Sequence, residues 1–351
     1  MRSCFRILPL VSALALVTAL VPVTAGAAWI DLGAADPVSV ELIESTGVRS
    51  VYAITVGGFD AEPVDIEGKT WFEIQLPGES RSLEAGLPAL PDVRRALAIP
   101  DQSAMRVRVL ESEFTDLPGM PVAPSKGNLL RSVDPDLVAY SFDAFYQGAG
   151  LWPAEVVVGE DPHIIRDVRG MLVDANVFQY LPASETLRVY TRLVIEVAED
   201  GPGTVNVLER TRPLEKIDPQ FADIYANHFL NDEVATRYTP VSESGGLLII
   251  SYDAFASAMQ PFIEWKRMRG LDVDLITVSE AGGTTAGIKA AIESRYFGPD
   301  GLAFVVLVGD GAEVPCWSGT YEGANDDTRY VLLEGDDFYP DALVSRISAQ
   351  N

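Results

Sequence analysis

Seven carboxylates and a single basic residue lie between residues 322 and 341, and this acidic stretch is the part of the chain best suited to chemistry. Within it, Asp337, Tyr339 and Asp341 occupy alternate positions, which would place two carboxylates and a main-chain carbonyl along one turn. Ca²⁺ prefers oxygen-only sets of this kind, with ligands at about 2.3–2.6 Å. The twelve-residue calcium loop is absent from the sequence, and the spacing also fits a solvated acidic loop.

Asp310 follows the apolar run 302–308, which has the composition of a buried parallel strand. Ligands of open α/β sheets bind at the carboxyl edge, so Asp310 would stand at that edge and could close a cation site across the acidic loop. A carboxylate in this position could instead accept a phosphoryl group. The sequence disfavours that alternative, because no second acid pair follows the first strand of the pattern.

The remaining candidates do not form a catalytic set. His163 and His228 are the two histidines of the chain, and surface or structural roles are expected for both. Cys316 has no histidine within its own predicted domain, residues 247–351, so the role of a small apolar residue is expected. Gly282 and Gly283 precede a helix without the lysine of a phosphate-binding loop. The sequence therefore assigns no catalytic residue.

The elements around Asp310 alternate between strand and helix. This alternation predicts a parallel sheet covered by helices on both faces. Strands are predicted over 247–251, 273–278 and 304–309, and helices over 261–270 and from Thr284 or Thr285 to Gly298.

Residues 29 to about 225 show a different pattern, in which short β-branched or alternating runs are separated by Gly and Pro turns. A β-sandwich is expected here. The predicted strands include 51–56, 71–76, 105–110, 155–159, 171–180 and 187–197. A short helix could span 220–230, and 231–246 reads as a polar linker.

The first 27 residues have the features of a secretory signal: Arg2 and Arg6, an apolar run, and Ala25-Gly26-Ala27 as the cleavage site. Prolines leave that run shorter than the roughly 20 residues of a membrane span. Removal of the 27-residue signal leaves 24 basic against 51 acidic residues, a net charge near −27. Such a surface repels nucleic acid and anionic membranes. A secreted or extracellular protein is expected, with the periplasm or cell surface as alternatives.

Several segments resemble the gingipain-type cysteine peptidases. The segments 261–271, 306–315, 327–330, 335–341 and 346–348 resemble the first part of that family's catalytic domain. The segments 86–91, 99–100, 169–171, 180–189 and 229–231 resemble its prodomain. Arg237-Tyr238 resembles the site at which gingipain R precursors are cut.

The resemblance implies an α+β multidomain protein. After the signal (1–27) it implies an all-β sandwich prodomain (28–230), a linker (231–246) with a maturation site at Arg237 and Tyr238, and the truncated start of an α/β caspase-like domain (247–351). The function implied is a secreted cysteine endopeptidase precursor that acts on proteins or peptides and has its prodomain as an intramolecular inhibitor. The catalytic histidine and cysteine are expected beyond residue 351, so this chain alone should not hydrolyse peptides.

The resemblance also implies a structural Ca²⁺ site. Asp310, Asp337 and Asp341 match side-chain ligands, and Glu334 and Tyr339 match residues that offer main-chain carbonyls. Asp341 departs from the longer glutamate of gingipain R. Two other functions stay open: a secreted, calcium-stabilised binding or surface protein without a working dyad, and a prodomain-type inhibitor.

Overall fold

The structure is a computed structural model that describes residues 27–209, 216–232, 241–242, 245–298, 301–320 and 323–350. Most of the expected signal and the expected maturation site at Arg237 and Tyr238 lie outside the described residues. The helices are α1 (Pro219–His228), α2 (Gln260–Met268) and α3 (Thr285–Tyr296), and short 3₁₀ helices cover Pro135–Leu137, Ala144–Gln147, Pro182–Ser184, Asp253–Met259 and Thr328–Val331. Among the described residues, no helix has the length and apolar character needed to cross a membrane.

The strands fall into an all-β region and a later parallel sheet. They are β1 (Ala28–Asp31), β2 (Val38–Ser45), β3 (Arg49–Val56), β4 (Gly58–Ile66), β5 (Lys69–Gln75), β6 (Val93–Ala98), β7 (Ser103–Pro118), β8 (Val157–Gly159), β9 (His163–Ile165), β10 (Val168–Ala175), β11 (Phe178–Leu181), β12 (Thr186–Pro202), β13 (Lys216–Ile217), β14 (Val241–Ser242), β15 (Gly246–Ser251), β16 (Val273–Thr277), β17 (Leu302–Val308), β18 (Trp317–Ser318), β19 (Asn325–Asp326) and β20 (Leu343–Ile347).

Strands β1 to β12 form antiparallel sheets around one hydrophobic core. The sheet orders are β1-β4-β5, β6-β10-β8 with β9 also paired to β10, and β11-β12-β3-β2 with β7 also paired to β12. All three sheets contribute to the core, as Phe59, Leu97 and Ile195 show. The predicted all-β fold of this region is confirmed.

The strand predicted over 171–180 is wrong in one respect, because it is two strands in different sheets. The break lies at Asn176 and Val177, between β10 and β11. There the amide of Asn176 donates to the carbonyl of Val156 at 2.8 Å, and the amide of Val177 donates to the carbonyl of Ala175 at 3.0 Å. This tight turn moves the chain from one sheet to the next.

Strands β15, β16, β17 and β20 form a parallel sheet in the order β16-β15-β17-β20. Alternate residues of β15 face opposite sides of the sheet. Leu248 and Ile250 pack in the cluster that includes α3, whereas Leu247 and Ile249 pack in the cluster that includes α2. The predicted parallel sheet with both faces covered is confirmed.

Helix α3 shows how local sequence sets an element. The Thr284 hydroxyl accepts a hydrogen bond from the amide of Gly287 at 3.1 Å and caps the first turn. Ile288, Ile292 and Tyr296 recur every four residues and form the buried face. The helix therefore has one end fixed by a cap and one side fixed by the sheet.

The all-β region and the parallel sheet meet through a shared buried cluster. Phe221 and Tyr225 of α1 pack with Ile165 and Val168 from β9 and β10, and with Ala303 of β17. The β9–β10 hairpin thereby lies against the amino ends of the parallel strands. This junction contains the acidic loop that the sequence singled out.

Candidate functional site

Asp341 is the most enclosed carboxylate of the acidic loop, with none of its surface exposed. Its Oδ2 accepts hydrogen bonds from the amides of Leu333 at 2.7 Å and Glu334 at 2.8 Å. Its Oδ1 accepts from the amide of Arg166 at 2.8 Å, which belongs to the all-β region. Burial raises the pKa of Asp341 to about 6, although the three amide bonds act in the opposite direction. Asp341 therefore stabilises the conformation of its own loop and connects that loop to the β9–β10 hairpin.

Asp337 makes the same kind of connection. Its Oδ1 accepts a hydrogen bond from the amide of Tyr339 at 2.9 Å, within the loop. Its Oδ2 accepts from the amide of Ile164 at 2.8 Å, in β9. Burial raises the pKa of this carboxyl group as well. Asp337 and Asp341 thus contact two amides that are two positions apart, one in β9 and one directly after it.

The β9–β10 hairpin is able to offer these amides because, within the part of the chain that the structure describes, β9 pairs with β10 alone. Strand β9 pairs with β10, with His163, Ile164 and Ile165 opposite residues of that strand. In an extended strand, amides two residues apart point the same way. The amides of Ile164 and Arg166 therefore face the acidic loop together.

Arg166 adds its side chain to the contact. It occupies a two-residue turn after β9 and has a φ of +50°, which is uncommon for a residue other than glycine or asparagine. Its Nη1 donates to the carbonyls of Asp341, at 3.1 Å, and Leu302. The guanidinium lies over the rings of Phe221 at 4.9 Å and Tyr296 at 5.3 Å. It fills the space between α1, α3 and the start of β17.

The two histidines, which the sequence treats as unrelated, are paired at this junction. Their Nε2 atoms are 3.3 Å apart, and the His163 ring stacks on Tyr339 with centroids 4.0 Å apart. Burial lowers the pKa of His163 to about 4 and also lowers that of His228. Both are therefore neutral at pH 7. Their separation of 65 positions left no local signal of this contact.

Asp310 stands at the opposite edge of the parallel sheet. Its amide donates to the carbonyl of Ala349 at 2.8 Å, beyond the end of β20. Asp341 precedes β20 and Ala349 follows it, so the length of this strand lies between Asp341 and the residue that Asp310 contacts. The Asp310 carboxylate accepts from the Gln350 side chain at 2.9 Å and from the Gly311 amide at 3.0 Å, and these bonds lower its pKa. The structure does not bring Asp310 to the acidic loop, and the cation site that the two were expected to form stays a prediction.

The expected calcium ligands do not converge in this arrangement. Among the described residues, which include all five expected ligands, no group of three or more His, Cys, Asp or Glu side chains is placed to hold a metal. Glu334 and Tyr339 lie in the same loop as Asp337 and Asp341, but amide donors already engage the oxygens of both aspartates. Because Ca²⁺ needs six to eight converging oxygens, these residues do not fit the ion as arranged. The calcium site stays a prediction.

Cys316 follows β17, whereas His163 and His228 lie at the hairpin and α1 on the amino side of the sheet. Burial raises the pKa of the Cys316 thiol, which disfavours the thiolate that a nucleophile needs. The structure does not bring the cysteine and the histidines together as a catalytic pair.

Two protein families match the chain in tandem. The model of the family described as Propeptide_C25 matches residues 35–231, and that described as Peptidase family C25 matches residues 241–351. The first match covers more than half of the chain and coincides with the all-β region and α1. The second match includes the parallel sheet.

Gingipain R2 of Porphyromonas gingivalis is 33% identical over 277 residues, which are 76% of this chain and 36% of the relative. Lys-gingipain of the same organism is 29% identical over 311 residues, which are 82% of this chain and 17% of the relative. The chain therefore spans about a third or less of the length of these relatives.

Similarity extends to a solved structure, a complex of P. gingivalis RgpB pro- and mature domains. It matches with a TM-score of 0.51 and 30% identity, over 55% of this chain and 96% of the matched chain. Together with the two family matches, this establishes that the chain belongs to the gingipain-type cysteine peptidases of family C25 and carries that family's propeptide.

Proposed function

We propose that the protein is the precursor of a secreted cysteine endopeptidase and that its all-β propeptide inhibits the peptidase domain within the same chain. Residues 1–27 would direct export, and cleavage between Arg237 and Tyr238 would separate the two parts. The substrates would be proteins or peptides. Since the chain spans about a third or less of its relatives, the catalytic histidine and cysteine are proposed to lie in sequence that follows residue 351.

The observation that supports this proposal best is the buried junction between the two family segments. Ile165 and Val168 of the propeptide, Phe221 of α1 and Ala303 of the peptidase segment share one hydrophobic cluster. The propeptide is therefore packed against the domain that it would inhibit, as is expected of a precursor. The solved complex of RgpB pro- and mature domains is a related case of such an association.

The chemistry proposed for the whole enzyme needs two residues at the carboxyl edge of the parallel sheet, where such folds hold their ligands. A histidine would take the proton of a cysteine thiol, and the thiolate would attack the peptide carbonyl. Hydrogen-bond donors would stabilise the charge that develops on the carbonyl oxygen. Cleavage after arginine is favoured by Arg237 if the enzyme matures itself.

The test uses the complete precursor, expressed from the coding sequence that continues past codon 351. We expect a product that begins at Tyr238, that hydrolyses fluorogenic peptides with arginine before the scissile bond, and that iodoacetamide inactivates. Peptides with lysine in that position test the specificity. An Arg237→Gln variant should keep the propeptide attached and show little activity. An intact precursor that binds peptides without cleaving them, or an open frame that lacks either residue of the dyad, would contradict the proposal.

A further inference from the structure

We infer that Asp337 and Asp341 form a docking site for the main chain of the propeptide hairpin, and that the acidic loop holds this hairpin in place of a divalent cation while the propeptide is docked. The occupant is the β9–β10 hairpin of the same chain, residues 163–175. The inference deepens the proposed function, on which it rests for the roles of the two segments. Its test reads the contact itself and needs no peptidase activity.

The first argument is the match in spacing between donors and acceptors. Ile164 and Arg166 present amides on the same side of the hairpin, and each amide has one carboxylate oxygen at 2.8 Å. An unpaired strand edge is otherwise exposed to association with other strands. The two carboxylates satisfy part of that edge without adding another strand. The acidic loop therefore recognises an extended backbone rather than one particular side chain.

The second argument is that the contact is reciprocal. The loop offers its carboxylate oxygens to the hairpin, and Arg166 donates from its guanidinium to the main-chain carbonyls of Asp341 and Leu302. Hydrogen bonds to charged groups are stronger than neutral ones. Tyr339 of the loop also stacks on His163 of the hairpin. Docking thus uses both main chains, one arginine and one aromatic pair.

The third argument concerns what the loop would lose on separation. The carboxylate of Asp341 is fully buried, and one of its three amide donors comes from the propeptide. Withdrawal of the hairpin would leave Oδ1 without that donor and would open the residue to water. A buried carboxylate that loses a hydrogen bond must be hydrated or otherwise compensated. The loop is therefore stabilised by the propeptide in the position where the resemblance implies a cation.

The docking site also has a defined location relative to the chemistry proposed for the enzyme. Asp341 precedes β20 and Leu302 begins β17, so the hairpin lies at the amino edge of the sheet. Asp310 ends the same sheet at its carboxyl edge. The hairpin contact would anchor the propeptide from the side away from the expected active site.

The test measures amide hydrogen exchange of the 351-residue chain at single-residue resolution. In the wild type, the amide of Ile164 should be strongly protected, because its acceptor is Asp337. In Asp337→Ala, exchange at Ile164 should be about tenfold faster or more. Asp336→Ala is the matched control: the Asp336 side chain is exposed, and its main-chain amide, which the substitution keeps, donates to the Asn206 side chain of the propeptide at 2.7 Å.

A reciprocal variant removes the donor instead of the acceptor. Ile164→Pro deletes the amide that points at the loop. In that background, Asp337→Ala should speed exchange at the Arg166 amide no further than Ile164→Pro alone does. If Asp337→Ala and Ile164→Pro each speed exchange at the Arg166 amide, and their effects add in the double variant, the inference is overturned. So would solvent-like exchange of Ile164 in the wild type, a result that stands even if a variant fails to fold.

Discussion

The main-chain amide of Arg166 donates to Oδ1 of Asp341 at 2.8 Å, across 175 positions of the chain. This bond connects a turn of the propeptide to the residue that closes the acidic loop of the peptidase segment. Since Asp341 also accepts from Leu333 and Glu334, one side chain organises the loop and receives the propeptide. The folding of the loop and the docking of the hairpin therefore depend on the same carboxylate.

Replacing Asp341 with asparagine tests that dependence. The amide group keeps one oxygen, but its NH₂ would face either the amides of Leu333 and Glu334 or that of Arg166. We expect Asp341→Asn to lower the free energy of unfolding by about 2–3 kcal/mol, the cost of unmatched buried donors. Urea unfolding followed by tryptophan fluorescence gives the value. Asp336→Asn, at an exposed position of the same loop, should change it by less than about 0.5 kcal/mol. Equal effects of the two variants would contradict the role given to Asp341.

Arg166 provides a test in which backbone and side chain act in opposite directions. Glycine adopts a φ of +50° without the roughly 1–2 kcal/mol cost of a side chain in the left-handed region. Arg166→Gly relieves that cost but removes the bonds to Asp341 and Leu302 and the packing over Phe221 and Tyr296. We expect a net loss of about 1–3 kcal/mol in the free energy of unfolding.

Glu185 is the matched control for the backbone term, because it also has a φ of +50°. Its side chain is half exposed and pairs with Lys69 on the surface. A surface pair of this kind contributes about 0–1 kcal/mol. Glu185→Gly should therefore leave the free energy of unfolding within about 1 kcal/mol of the wild type or raise it. If Arg166→Gly behaves like Glu185→Gly in urea unfolding, the guanidinium contacts contribute nothing to stability.

The sequence predicted the parallel sheet well because its signals are local. Pro261 lies in the first turn of α2, Thr284 caps α3, and the apolar run before Gly309 forms β17. Each signal lies within a few residues of the element that it defines. Strand–helix alternation then restricts the topology, and the observed bounds differ from the predicted ones by a few residues at most.

The junction could not be predicted in the same way. Ile164 and Asp337 are 173 positions apart, and His163 and His228 are 65 apart. Every residue except proline has a main-chain N–H donor, so the residue types around Ile164 do not indicate that its amide has a carboxylate partner. The spacing of Asp337 and Asp341 identified a loop with acceptors in regular positions, but amide donors and a cation satisfy such acceptors equally well. Asp341 and the residue that Asp310 contacts, Ala349, lie at opposite ends of β20, and no local feature of the sequence indicates that separation.

A pH dependence is expected from Asp174, a buried residue of β10 in the propeptide. Burial raises its pKa to about 6; Arg94 opposes the shift, and Asp92 and Glu160 add to it. The native state then binds more protons than the unfolded state between pH 4 and pH 6. Stability is therefore greatest below the unfolded pKa and falls as pH rises through about 6, by up to about 3 kcal/mol. Asp174→Asn should remove this fall.

The measurement is urea unfolding of the wild type and of Asp174→Asn at pH values from 4 to 7. Subtracting the two profiles removes the contribution of the other titrating groups, including the histidines. The difference should change steadily between pH 4 and pH 6 and become flat above it. A flat difference over the whole range would show that Asp174 has an ordinary pKa in the folded protein.

The acidic loop allows a decisive test with calcium, because the resemblance and the docked hairpin lead to opposite expectations. A ligand that binds only the folded state raises the melting temperature as its concentration passes the dissociation constant. With the amides of Ile164 and Arg166 on Asp337 and Asp341, we expect millimolar Ca²⁺ to change the melting temperature of the 351-residue chain by less than about 1 °C. Mg²⁺ at the same concentration controls for ionic strength. A larger rise that is specific to Ca²⁺ and disappears in Asp337→Ala, but persists in Asp336→Ala, would establish the loop as a calcium site in the precursor and would reject docking in place of the cation.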